Sequence, residues 1–214
     1  MNKPVIVLGA GGHASVLVDI LRSQGRSPMA LVAPAMGVVR AALAEIPLWH
    51  DEERILAHTP DEVELVNGIG SLPGTSLRAD LFARYRALGY HFARVVSTNA
   101  VVSDYAVLEE GVQIMAGAII QAGTRIGPNS IINTGAIVDH DCHLGGDNHV
   151  APGAVLSGGV VTGERVHLGT GAAVIQGISI GAHAVVGAGA TLTRPLGEKQ
   201  IAYVARGSVM LIKQ

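Results

Sequence analysis

Residues 131–156 read IINTGAIVDHDCHLGGDNHVAPGAVL, and in this stretch an aliphatic residue returns at every sixth place: Ile132, Val138, Leu144, Val150 and Leu156. Followed in both directions, the same column runs from Val102 to Leu192. Fifteen of its sixteen positions are aliphatic, with Thr162 the exception. Four residues further on in each hexad lies a second column of mostly small residues: Ala118, Ala136, Cys142, Ala154, Ala172, Ala184 and Ala190. Glycine often follows the aliphatic residue, as at Gly127, Gly145, Gly163 and Gly181, where a sharp corner needs it. An α-helix repeats every 3.6 residues and a strand every two, so a period of six belongs to neither. It belongs to a solenoid of short flat strands and regular corners, whose stacked coils bury one continuous core. Three hexads close a triangular coil of 18 residues, so 102–191 predicts five coils, roughly 24 Å tall at ~4.8 Å between stacked strands. The spacing leaves the handedness of the coil open.

Upstream of about residue 95 the pattern is different. Val5-Ile6-Val7-Leu8 predicts a short buried strand, and Gly9-Ala10-Gly11-Gly12-His13 a glycine turn. A helix then follows with Val16, Leu17, Ile20 and Leu21 on one face. Met29 to Val32 and Val63 to Val66 predict a second and a third strand, the latter closed by Asn67-Gly68-Ile69-Gly70. Thr75 or Ser76 caps a helix with Leu77, Leu81, Phe82, Tyr85 and Leu88 on one side, and His91 to Val96 returns as a strand. Alternation of strands and helices predicts a small α/β domain with a parallel sheet over 1–96, followed by the solenoid over 97–214.

Composition narrows the function classes. Across 214 residues, 49% are apolar and 15% charged, which excludes disorder. A net charge of −2 gives no general reason to bind nucleic acid or an anionic membrane. The single cysteine excludes an internal disulfide and any multi-cysteine metal site. There is no signal-like leader and no 18-residue apolar run, so the expectation is a cytoplasmic protein without membrane insertion.

Three stretches carry a family resemblance: Gly9-Ala10-Gly11-Gly12-His13 after the first strand, Gly68-Ile69-Gly70 after the third, and Ile137-Val138-Asp139-His140-Asp141-Cys142 with His149 nine residues beyond His140. In this order they resemble the sugar O-/N-acyltransferases of the hexapeptide-repeat class, related to sialic-acid O-acetyltransferases and UDP-4-amino-sugar N-acetyltransferases. The resemblance implies a Rossmann-like small domain followed by a left-handed parallel β-helix. It also implies a homotrimer with acetyl-CoA as co-substrate in the groove between neighbouring prisms, and no metal.

The acceptor of an acetyl group must lose a proton, and an imidazole titrating near neutrality can take it. His140 is the candidate base and Asp141 its orienting partner, at the position where the resembling enzymes often have Glu. Adding 18 to a position moves one coil along the same face, so His140 stacks on Gly158, whose N–H is an oxyanion donor for the thioester. His149 and His167 are also 18 apart, and two protonated imidazoles stacked so closely would repel. By family position His149, Gly158, Thr170 and Ala188 contact acetyl-CoA, and Gly11, Gly12, His13 and Gly70 contact the nucleotide-sugar. Physically, small residues at a helix N-terminus let a phosphate reach backbone amides. His167 is expected to be structural and Cys142 a core residue.

Two departures stand out. Leu31-Val32-Ala33-Pro34 ends the second strand where relatives usually carry an acidic pair for the base or ribose. Tyr203-Val204-Ala205-Arg206 replaces the usual Gly-Val-Pro-Ala ending. The expected reaction is N-acetylation of a nucleotide-linked amino-sugar by direct attack. O-acetylation of a sugar hydroxyl and a non-catalytic hexapeptide scaffold are the alternatives. A histidine-ligated metal site is disfavoured because no two histidines lie five residues apart.

Overall fold

The computed structural model describes residues 3–34 and 40–204. The first part contains β1 (Val5–Leu8), α1 (Gly12–Ser23), β2 (Ala30–Val32), β3 (Leu48–Trp49), α2 (Glu53–Leu56), β4 (Glu64–Asn67) and α3 (Leu77–Ala87). The four strands are parallel, in the order β3-β2-β1-β4. Alternation along β1 sends Val5 and Val7 toward Leu17, Val18 and Leu21 of α1, and Ile6 and Leu8 toward Tyr85 of α3. A strand buried on both faces must be apolar at every position, which is why VIVL shows no alternation.

Several expectations shift in detail. β3 is a two-residue strand, too short to stand out in the sequence, and β4 lies one residue later than expected. On α1, Val18 takes the buried place expected of Val16, which is 45% exposed. On α3, Leu77 and Leu88 are exposed while Arg78 is 6% exposed. The reason is polar: the Arg78 guanidinium donates to the carbonyls of Asn67, Ile69 and Asn129, tying α3 to the end of β4 and to the solenoid. The expected strand over 91–96 divides between two sheets. Phe92 bridges Leu65 in the small sheet, whereas Val95–Val96 pairs with Gln113–Ile114 in the solenoid.

From Val95 the chain winds into three parallel sheets of seven, six and five strands. Each strand pairs with the one 18 residues on: Ile131 with His149, Ile137 with Val155, His143 with Val161. The prism therefore begins earlier than the five coils expected and is closed by Ile201–Ala202. Stacking of this kind fits the left-handed β-helix of hexapeptide repeats. Both the aliphatic and the small columns point inward and form one core. Thr162, the exception in the column, is also buried. Its Oγ1 accepts hydrogen bonds from Asn148 Nδ2 at 2.6 Å and from the Gly145 N–H at 3.2 Å, so its hydroxyl costs the core little.

The three outer faces differ. The first, from Val95–Val96 to Ile201–Ala202, carries the N-terminal sheet: Val95, Met115 and Ile131 join the cluster built by α1 and β1. The second, from Val101–Val102 to Thr191–Leu192, presents the apolar column Val101, Ile119, Ile137, Val155 and Ala173 outward. The third presents Val107, Arg125, His143, Val161 and Ser179, all exposed. Among the described residues no helix is long and apolar enough to cross a membrane.

Candidate active site

His140 and Asp141 form the corner between the second and third faces, with Ala122-Gly123 on the preceding coil and Gly158-Gly159 on the next. Asp141 adopts φ 57°, which turns its carboxylate back along the chain so that Oδ2 meets His140 Nδ1 at 2.8 Å. His140 is anchored by its own amide, which donates to Asp139 Oδ1 at 2.8 Å. The imidazole is exposed and packs against Gly158. A Cβ there would sit 2.5 Å from both Cε1 and Nε2, so any side chain would displace the ring. The hydrogen bond that His140 Nδ1 donates to Asp141, aided by the charge of Asp139, raises the His140 pKa above its ordinary 6.5. The N–H groups of Ser157 and Gly159 donate to the carbonyls of Val174 and His140, whereas that of Gly158 has no hydrogen-bond partner among the described residues. A carboxylate-oriented imidazole and an unpaired amide thus share one exposed corner, the combination that acyl transfer requires.

A second group of expected residues lies on the first face. Gly12, His13, Gly70 and His149 line one cavity of about 550 Å³ between the small sheet and the prism, together with Asn133 and Ser71. Gly11 lies beside it at the N-cap of α1, with no side-chain hydrogen bond to the helix and nothing near its Cα face. Gln113 Nε2 donates to the Asn67 carbonyl at 2.8 Å, so Gln113 Oε1 accepts from His13 Nε2 at 2.7 Å. His149 is fixed in the same way. Its Nδ1 donates to the Ser71 carbonyl at 3.1 Å, and its Nε2 accepts from Asn133 Nδ2 at 3.1 Å. Burial, aided by the neighbouring His167, lowers the His149 pKa to about 4 against the hydrogen bond to Ser71, and burial likewise takes His13 to about 4. His167 stacks edge-on to His149, ring centroids 4.8 Å apart, and its buried Nδ1 has no partner among the described residues. Both imidazoles are held below their usual pKa, as the close pairing requires.

The structure does not bring these two groups together within one chain. The corner holding His140 is the vertex of the triangle opposite the first face, where the cavity lies. Thr170 and Ala188 are exposed on the corner between the first and second faces, one coil apart. Cys142 is buried in the core, its thiol donating to the Ser157 carbonyl. Of the altered tail, Ala205 and Arg206 lie outside the described residues. Among the described residues no three His, Cys, Asp or Glu side chains are grouped to hold a metal ion. Asn133, Ser71 and Gln113 were not singled out from sequence. The 18-residue register places Gln113 and Ile131 on the strand column of His149, but only the docked small domain gives their polar atoms partners.

Comparison with known proteins agrees with this architecture. Residues 105–139 match the bacterial transferase hexapeptide family (six repeats), and residues 159–194 the hexapeptide repeat of succinyl-transferase. No curated protein sequence matches significantly. Among solved structures, perosamine N-acetyltransferase from Caulobacter crescentus, bound to CoA and GDP-perosamine with one histidine replaced by asparagine, is 38% identical. The match covers 94% of each chain with a TM-score of 0.85. The acetyltransferase domain of PglB from Neisseria gonorrhoeae, bound to acetyl coenzyme A, is 27% identical over 95% of this chain and 97% of that one, TM-score 0.85. WeeI from Acinetobacter baumannii, 23% identical over 94% of this chain and 96% of that one, shares the fold with a TM-score of 0.80. At 38% identity over nearly the full length of both chains, the protein belongs to the sugar acyltransferase family of hexapeptide-repeat transferases, as an acetyl-CoA-dependent sugar acetyltransferase.

Proposed function

We propose that the protein transfers the acetyl group of acetyl-CoA to the amino group of a nucleotide-linked amino-sugar. In this reading residues 1–96 bind the nucleotide-sugar and residues 97–214 carry the transfer machinery. His140 Nε2 takes a proton from the amine as it attacks the thioester, and Asp141 holds the ring and favours the imidazolium that forms. The Gly158 N–H faces the thioester oxygen as it becomes an oxyanion. Electrons move from the amine nitrogen to the carbonyl carbon. The tetrahedral intermediate then expels the CoA thiolate, which can take back the proton held by His140. No acyl-enzyme forms, and Cys142 is too deeply buried to serve as a nucleophile.

The observation that carries this reading is the His140 ring, oriented through Nδ1 and resting on a glycine whose amide is unpaired. The 38% identical relative was crystallised with CoA and a nucleotide-linked amino-sugar, which supports the same substrate class here. Gly11, Gly12, His13 and Gly70 would hold that substrate, and His149, Gly158, Thr170 and Ala188 would contact acetyl-CoA. The apolar second face, and a base that stands opposite its own substrate cavity, support the homotrimer that the family resemblance implies. Packing on the second face would set the His140 corner of one subunit beside the first-face cavity of its neighbour. His140→Ala should lower the rate of thiol release from acetyl-CoA by at least about 100-fold with amino-sugar present. Unchanged transfer by this variant would overturn the reading, and a sugar hydroxyl accepted as readily as the amine would favour O-acetylation.

A further inference from the structure

The carboxyl ends of all four small-domain strands open into a second cavity, of about 290 Å³, that none of the expected site residues lines. Ligands of open parallel sheets sit in such crevices, outside the strand ends where the order reverses, here between β1 and β4. The cavity shares Ile69 and Leu77 with the larger one holding His13, Gly70 and His149, so a two-part ligand can extend across both. Between them lies the turn leading into α1, where the space a Gly11 side chain would fill is open and the Arg40 guanidinium stands beside Gly12. That turn is suited to a diphosphate.

The walls of the smaller cavity are apolar for the most part, formed by Leu8, Val32 and Leu81 among others, with Tyr85 fully buried beneath them. Among the described residues the Tyr85 hydroxyl makes no close hydrogen bond, and burial together with the neighbouring Glu52 carboxylate raises its pKa. Glu52 is the one carboxylate in the lining, and one of its oxygens pairs with Arg84. Ala33 and Pro34, which also line it, supply no charge. Among the described lining residues the site is therefore a mostly apolar slot, to which the loop after β3 brings His50, held by the Pro34 carbonyl, and Glu52 as the one anionic acceptor.

A carboxylate accepts hydrogen bonds and donates none. Guanine alone among the common bases offers it two adjacent donors, N1–H and the 2-amino group. The uracil edge sets one N–H between two carbonyl oxygens, which a carboxylate repels, and adenine and cytosine each place a ring acceptor beside the amino group. We propose that this cavity holds the guanine of a guanosine-diphosphate-linked sugar and that Glu52 selects it. The assignment rests on the nucleotide-sugar reading above and replaces the acidic pair absent at Ala33-Pro34 with a carboxylate from a different element.

The test compares one amino-sugar linked to GDP and to UDP, with acetyl-CoA and the full chain. Wild type should favour the GDP compound by about 100-fold in kcat/KM. Glu52→Gln should shrink that preference by about 10- to 100-fold, through a higher KM for the GDP compound with kcat within about twofold. Arg84→Gln removes the ion pair but keeps the carboxylate, and should leave the preference intact. Calorimetry with GDP and UDP alone on wild type should give tighter binding of GDP. Equal use or binding of the two nucleotides, or a Glu52→Gln loss shared equally by both substrates, would overturn the guanine assignment alone. Transfer to neither compound would overturn the proposed function itself.

Discussion

The Asp141 carboxylate lies over Gly123 of the preceding coil, where a Cβ would come within 2.3 Å of Oδ1. His140 and Asp141 are thus held between two glycines, Gly158 on one side and Gly123 on the other. Gly123→Ala should push the carboxylate off His140 Nδ1. His140 would lose the contact that raises its pKa, so the acid limb of the pH–rate profile should move down toward 6.5 and kcat should fall by about tenfold. Because Gly123 has φ +75°, Gly25→Ala, at φ +71° with no neighbour, is the matched control for backbone strain. It should melt like the Gly123 variant while keeping full activity. His140, Asp141 and Gly158 were legible in the sequence because the coil length is constant, and the same subtraction of 18 points to Gly123. The αL turn of Asp141 that makes Gly123 matter is a backbone choice that no hydrophobic pattern encodes.

At the scale of elements, α3 shows how polar satisfaction can override an apolar stripe. The helix turns Leu77 and Leu88 to solvent and buries Arg78, because the guanidinium satisfies carbonyls at the end of β4 and at the Asn129 corner. Burial lowers the Arg78 pKa to about 9, partly offset by the charge of Asp147. Arg78→Met should cost about 3 kcal/mol, since several buried carbonyls would lose their donors together. The loss would appear as a lower urea midpoint. Sequence periodicity located the helix but not its rotation, because Arg78 ranks as a surface residue until its partners are known.

At the scale of the molecule, the small sheet and the prism meet through His13 and His149, both held neutral by burial with pKa values of about 4. In the unfolded chain each titrates near 6.5, so between 6.5 and 4 the unfolded state binds protons that the folded state refuses. Stability contributed by these sites is complete above pH 6.5 and is lost as pH falls toward 4, by up to ~3 kcal/mol each. Thermal melts at pH 7.5 and 5 should show this decline, and His149→Gln should blunt it. The apolar second face makes a separate prediction. If the proposed trimer packs through this face, Ile137→Arg should give a monomer in light-scattering measurements and abolish transfer, with His140 and Asp141 untouched. Full activity in a monomer would rule out a site assembled from two subunits.

The hexad columns by themselves determined the prism, its 18-residue register and the exposure of His140, because a solenoid core repeats one local rule at every coil. The glycine turns likewise marked the strand ends of the small sheet. Only tertiary structure decided which prism face the small sheet covers, which way α3 rolls, and that Glu52 enters the cavity beyond the strand ends. Those outcomes depend on contacts between residues from 11 to 100 positions apart, whose partners are chosen by docking and by the need to satisfy buried polar groups.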